Sequence, residues 1–170
     1  MGKIKTKRFV LAATVAALYV VFTVSLAPIS YGVIQFRVSE ALKALVLFDP
    51  FLAFGIGFGT FIANMASPFA GPWDLVWMPL TDIAGGLLAW AVFRAMRERL
   101  PFVAMIVYAL TTGASVGLML RAFGLGGFWF LSAGVVVSEL IVLLGGLPLV
   151  LWMVRILEMR GASIRPELMA

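Results

Sequence analysis

Of the eight acidic residues in this chain, several interrupt stretches that are otherwise apolar, and their chemistry is the first thing to explain. Glu139 lies about eleven residues into the run that begins at Phe128. A charge at the centre of a bilayer costs roughly 2.5–3.5 kcal/mol on insertion scales, so a carboxylate there needs a partner or a water-lined cavity. Two readings stand for Glu139: an ion pair with Arg37 or Arg121, or contact with a bound solute. Arg37 and Glu40 are three residues apart and share a helical face; they either pair with each other, or at least one of them meets a ligand. Asp82, next to Thr81, reads as a helix cap or as a site carboxylate. Asn64 reads as the end of a helix or as an amide for recognition, and Asp74 follows in the next polar stretch.

Two kinds of chemistry fit such a set: hydrogen-bond recognition of a solute, or acid–base work by Asp74, Asp82 or Glu139. The chain holds no histidine and no cysteine. That closes histidine-ligated metalloenzymes and serine–histidine hydrolases, as well as disulfide frameworks and thiolate metal sites. A third possibility is a structural subunit of a membrane complex, in which these groups only hold helices together.

Aromatic residues crowd the same region: Tyr31, Phe36, Trp73, Trp77, Phe128 and Trp129. An interfacial aromatic belt accounts for most of them. A stacking surface for a flat ligand is the alternative, with Trp73 and Trp77 best placed because they flank Asp74. Gly55, Gly57 and Gly59 are no nucleotide fingerprint, since no strand precedes them and no Lys-Ser/Thr follows; they suit close helix packing. Ala12, Ala13, Ala16 and Ala17 form a stripe of small residues of the kind that lets another helix approach. That helix belongs either to the bundle itself or to a separate membrane subunit.

The elements that must position these groups are apolar helices. Hydrophobic residues make up 63% of the 170 and charged residues 12%, against about 25% charged in soluble domains; mean hydropathy is +1.09. The apolar runs predict an all-α integral membrane bundle forming one domain over 1–170, with six spans near 9–27, 33–48, 51–65, 79–96, 101–120 and 128–154. The second and third fall short of the roughly 20 residues of a free-standing span. Asp49-Pro50 reads as an N-cap with proline at the first helical position. Ser67-Pro68 and Gly71-Pro72 mark a loop.

Lys3, Lys5, Lys7, Arg8, Lys43, Arg94, Arg97, Arg99, Arg155, Arg160 and Arg165 fall on one side of such a bundle, against Arg37 and Arg121 on the other. The positive side is cytoplasmic, which puts both termini there. The outer loops then lie at about 28–32, 66–78 and 121–127. The costly polar groups, Glu139 apart, gather in the outer half.

The stretch from Ala27 through Tyr31, Gln35, Arg37 and Glu40 to Leu42 resembles the signature of the queuosine-precursor transporter family, QueT. So do Ile62-Ala63-Asn64 followed by Ser67-Pro68-Phe69 and Asp74, and Ser138-Glu139-Leu140 leading to Gly146-Leu147-Pro148-Leu149. The resemblance covers nearly the whole chain. It implies a substrate-binding S component of an energy-coupling-factor (ECF) importer in a prokaryotic plasma membrane. The solute it implies is a deazaguanine-type queuosine precursor taken from outside. The partners it implies are a transmembrane coupling protein, contacted by Ala12, Ala13, Ala16 and Ala17, and two ATPases that use the ATP. The chain itself would be no enzyme and hold no cofactor or metal, and no nucleic acid would be a partner.

A guanine-like edge offers adjacent N–H donors beside a carbonyl, which suits carboxylates and an amide. The expected solute-binding residues are Glu40, Asn64, Glu139, Asp74, Arg37, Gln35, Trp73, Trp77 and Tyr108. A cationic aminomethyl group on the solute would also favour a carboxylate. The chain departs from the family pattern at Tyr108, at Ser138 and at the bulky Trp77-Met78-Pro79. Another vitamin or a purine-like compound is the alternative solute.

Overall fold

The computed structural model describes residues 2–31, 36–68, 70–162 and 164–165. Gln35 is therefore outside the described residues. The described elements are all helical: α1 (Gly2–Ser25), the short α2 (Ala27–Ser30), a 3-10 helix (Val38–Leu47), α3 (Leu52–Asn64), a π turn (Trp73–Trp77), α4 (Met78–Ala95), α5 (Pro101–Ala122) and α6 (Phe128–Met159).

Four stretches are long and apolar enough to cross a bilayer: Ile4–Ser25, Trp73–Ala95, Pro101–Ala122 and Phe128–Met159. At 1.5 Å per residue each exceeds the roughly 30 Å hydrocarbon core. Large apolar side chains such as Phe9, Leu80, Trp129, Phe130, Ile141 and Trp152 are exposed, as a lipid-facing surface requires. The chain is a multi-pass membrane protein.

The expected spans near 33–48 and 51–65 come out differently from the rest. α3 has 13 residues, about 20 Å. Residues 38–47 form no α-helix but ten residues of 3-10 helix, in which i and i+3 eclipse and each residue rises about 2.0 Å. This segment sits inside the bundle against α6, α1 and α4. Its apolar side chains Ala44, Leu45, Val46 and Leu47 are buried, because protein rather than lipid surrounds it. The expected outer loop is also shorter than the sequence indicates: Trp73–Trp77 is wound into a π turn that runs directly into α4.

Glycine decides how the helices meet. A Cβ on Gly55 would lie 2.6 Å from the Ala12 carbonyl oxygen, and one on Gly59 3.0 Å from that of Ala16, so these residues seat α3 on α1. A Cβ on Gly57, on the other side of α3, would come 2.9 Å from the Pro79 carbonyl oxygen of α4. The expectation of close packing at these glycines is met.

The alanine stripe divides accordingly: Ala12 and Ala16 are buried against α3, while Ala13 and Ala17 are exposed. They line an apolar groove of about 480 Å³ together with Phe9, Phe51, Phe54 and Phe58.

One end of the bundle is basic. Arg8 grips Asp49 with two bonds, of 2.8 and 2.6 Å. Asp49 also accepts the Phe51 N–H at 2.9 Å; α3 begins only at Leu52, with Phe51 at its N-cap, so Asp49-Pro50 forms the turn before the helix rather than the expected N-cap and first helical residue. At the same end Arg165 bonds Glu98 (2.8 Å) and Glu158 (3.0 Å) and lies over the Phe48 ring. The Arg165 hydrogen bond, helped by Arg94, holds the Glu98 carboxyl below the usual carboxylate range. α4 ends in a Schellman motif: Glu98 N–H donates to Phe93 O and Arg97 N–H to Arg94 O. Arg97 takes the left-handed position (φ 54°) that glycine usually fills. α3 runs from this end to Asn64 and α4 returns from the far end, so Tyr31, Asn64 and Asp74 mark the opposite pole.

Candidate functional site

The residues singled out by type and spacing separate into two groups at different depths. The deeper group is centred on Lys43, whose side chain is completely buried. Its ammonium is 2.8 Å from Asp82 of α4 and 2.8 Å from Glu139 of α6, and it also pairs with Glu40 one 3-10 turn earlier. Three N–H donors thus meet three carboxylates. The ring of Tyr108 lies 4.8 Å from the same ammonium, and Thr112 stands at 3.5 Å.

The surrounding hydroxyls complete the network. Tyr19 of α1 donates to Glu40 at 2.7 Å, and Thr60 of α3 donates to Asp82 at 2.5 Å. Tyr108 of α5 donates to the Asp82 carbonyl at 2.6 Å. Thr23 and Ser39 share a bond of 2.7 Å one turn above. α1, the 3-10 helix, α3, α4, α5 and α6 each supply a side chain. This is why the 3-10 geometry matters: eclipsed i,i+3 positions put Glu40 and Lys43 on one ridge, facing the other helices together.

The shallower group lies at the far end. Asn64, fully buried, donates to the Asp74 carbonyl at 2.8 Å, and its amide nitrogen stands 3.5 Å from the Asp74 carboxylate. Among the described residues, its own amide oxygen, Oδ1, accepts no hydrogen bond, and the same holds for Asp74 Oδ2 and the Ser30 hydroxyl. Tyr31 donates to the Ala63 carbonyl. Arg37, buried, donates to the Ser30 carbonyl at 3.2 Å and lies over the Tyr31 ring at 5.6 Å. Trp73, half-buried, packs on an apolar cluster that includes Met78, Val116 and Leu131. A buried polar atom left without a partner costs about 1–3 kcal/mol, so these acceptors have capacity for donors supplied from elsewhere.

Several expectations need correction. Lys43 does not join the basic end; it is the hub of the deep group, which leaves ten of the eleven expected basic residues on that side. Arg37 and Glu40 share no ion pair among the described residues: Glu40 turns to Lys43 and Tyr19, and Arg37 to Ser30 and Tyr31. The partner of Glu139 is Lys43, not Arg37 or Arg121. Asp82 caps nothing and belongs to the network. Trp77 is 42% exposed and turned toward α5, where it donates to Ser115 at 2.6 Å; it meets Trp73 edge-on but is no part of the buried groups. Glu40, Glu139 and Tyr108 fall in the deep group, and Asn64, Asp74, Arg37 and Trp73 in the shallow one. Sequence reasoning passes over Lys43, Tyr19 and Thr60, and leaves Asp82 outside the expected binding set. The available signal is the Glu40–Lys43 spacing, the same i,i+3 interval that singles out Arg37 and Glu40.

Chemically, the deep carboxylates are engaged by one ammonium and by hydroxyl donors, an arrangement for holding helices and setting potential. The open acceptors of the shallow group suit recognition. Comparison with known proteins agrees with a transport role. A 69-residue stretch is 45% identical to the queuosine precursor transporter QueT of Lactococcus lactis subsp. cremoris, covering 39% of this chain and 41% of that relative's length. No solved structure matches the chain. The QueT transporter profile matches residues 9–155, from α1 almost to the end of α6, and the chain belongs to the QueT transporter family, a family of transporters rather than enzymes.

Proposed function

We propose that the chain is the solute-capturing S component of an energy-coupling-factor importer, taking a deazaguanine-type queuosine precursor at its far end. The observation that carries this reading is the shallow group: buried acceptors on Asn64 and Asp74 that lack hydrogen-bond donors among the described residues, with Tyr31 bonded to Ala63 next to Asn64 and Trp73 adjoining Asp74 in sequence. A deazaguanine edge supplies adjacent N–H donors to such acceptors, and the rings supply stacking faces. Gln35 and Glu40 follow Tyr31 closely in sequence, and Glu40, Glu139 and Tyr108 belong to the Lys43 network. Kinship supports the solute class, since the Lactococcus relative is named for it.

In this reading the far end opens outward and the basic end, with both termini, faces the cytoplasm of a prokaryote, following the preference of Lys and Arg for that side. A transmembrane coupling protein seats on the groove at Ala13 and Ala17, where small residues allow close helix approach. Two ATPase subunits supply the energy, and the chain contributes no cofactor of its own.

The test is the ligand. The chain is purified from cells fed a deazaguanine, and small molecules released on denaturation are identified by mass spectrometry. A deazaguanine at near-stoichiometric amount is expected. Failure of the purified chain to bind any deazaguanine, with tight binding of a different vitamin, overturns the solute assignment.

A further inference from the structure

α6 is longer than a bilayer needs, and its extra length carries an arginine onto a face that is otherwise apolar. Its 32 residues reach about 48 Å at 1.5 Å per residue, against roughly 30 Å of hydrocarbon. Ile141, Leu149, Trp152 and Met159 are exposed and recur at helical spacing along one face. Arg155 stands on the same face, three residues after Trp152 and four before Met159. Its side chain is exposed and has no ion pair or hydrogen bond among the described residues. Trp129, at the other end of the helix, is exposed as well, and Trp152 lies about 35 Å from it along the helix. Exposed tryptophans at that separation suit the two interfaces of a bilayer. Arg155, one turn beyond Trp152, then falls at the level of the lipid headgroups.

The charge around it points the same way. At this end the carboxylates of Asp49, Glu98 and Glu158 are each engaged by an arginine of the chain itself. Lys5, Arg97, Arg99 and Arg160 are exposed like Arg155 and have no ion pair among the described residues. The surface is therefore positive, with its acids already spent. Arg165 joins Glu98 to Glu158, which holds the connector bearing Arg97 and Arg99 beside the end of α6. We propose that this end of the bundle binds anionic phospholipid headgroups of the adjacent leaflet, with Arg155 holding a lipid phosphate. A guanidinium presents a fork of N–H donors that matches phosphate oxygens. Leu149 and Trp152, on the membrane side of Arg155, lie along the acyl chains of the same lipid. An acidic protein surface would answer the arginines but not this apolar face, so the two features together fit a lipid. A zwitterionic lipid offers the same phosphate but brings a positive group that the patch repels.

The experiment counts the lipids held by the purified full chain. After delipidation in detergent, the chain is titrated with phosphatidylglycerol or with phosphatidylcholine of the same acyl chains. Bound lipid is read by native mass spectrometry at low and at high ammonium acetate. Phosphatidylglycerol is expected to bind roughly tenfold tighter or more at low salt, through several basic residues each worth about 1 kcal/mol. The preference should shrink at high salt. Arg155→Gln should lower it roughly fivefold, the equivalent of one such residue. Arg121→Gln, which removes an exposed charge from the opposite pole, should leave it unchanged. Equal binding of the two lipids by wild type overturns the proposal and leaves the patch to an acidic protein surface. A preference that Arg155→Gln does not alter, or that Arg121→Gln lowers as much, overturns it too.

Discussion

The Lys43 cluster and the Asn64–Asp74 pole are both polar, both buried and barely one helical turn apart along α3, where Thr60 serves one and Asn64 the other. They differ in completion. Around Lys43 each donor of the ammonium has a carboxylate and each carboxylate is held by the ammonium, with Tyr19 and Thr60 donating to two of them. At the far pole, among the described residues, Asn64 Oδ1, Asp74 Oδ2 and the Ser30 hydroxyl have no hydrogen-bond partner, whereas Glu40 Oε2 and Asp82 Oδ1 of the deep group, which accept no other bond, are ion-paired to Lys43. A saturated network rigidifies what it joins, whereas an unsaturated one has binding capacity left over. In the proposed reading, the deep group holds the bundle together and the shallow group captures the solute.

The sharpest way to break this comparison is to remove the hub. Lys43→Met leaves Glu40, Asp82 and Glu139 crowded together without a cation, and breaking a buried ionic group in this way costs about 3–5 kcal/mol. Thermal unfolding in detergent should show a larger loss for Lys43→Met than for Asn64→Ala or Glu98→Gln. A melting temperature within a degree or two of wild type would mean that the cluster does not hold the fold.

The basic end calibrates the comparison, because its ions are partly exposed. Glu98, about a third exposed, pairs with Arg94 and Arg165, so Glu98→Gln should cost under about 1 kcal/mol at pH 7. Its carboxyl is held low by Arg165, so its stabilisation is fully present above the ordinary glutamate pKa and disappears as pH falls through the depressed value. The stability gap between wild type and Glu98→Gln should therefore close below about pH 4, as followed by unfolding at a series of pH values. The smallest effect is expected at Arg97, a non-glycine in the left-handed position that ends α4. Arg97→Gly should stabilise by about 0.5–1 kcal/mol, as measured by the same unfolding experiment, since the exposed side chain makes no contact that the substitution removes from the core.

The same contrast explains what the sequence could reveal. Carboxylates in apolar runs are conspicuous, so Glu40 and Glu139 stand out. Lys43 does not, because a lysine near the Asp49-Pro50 turn reads as one that extends its ammonium to the interface. Only the 3-10 winding turns it inward beside Glu40, and a short apolar run gives no sign of 3-10 rather than α-helix. Asp82 is hidden by its neighbour Thr81, which makes a cap plausible; Thr81 in fact bonds the Trp77 carbonyl and Ser115. The π turn at Trp73–Trp77 rotates the register by a residue, keeping Asp74 in and sending Trp77 out. α1, α4, α5 and α6 are legible because their apolar runs exceed a bilayer's thickness. The alanine stripe is legible in type, but its division between α3 and an exposed groove depends on where Gly55 and Gly59 fall.

The central claim, that capture belongs to the shallow pole and not to the deep cluster, is tested most directly at Asn64. Binding of a deazaguanine to wild type and to Asn64→Ala is measured in the same detergent, alongside the melting temperature of each. The account predicts a loss of affinity of roughly tenfold or more, as expected for one buried hydrogen bond worth about 1–3 kcal/mol, with a melting temperature shifted by only a few degrees. Unchanged affinity in a folded Asn64→Ala variant would contradict it.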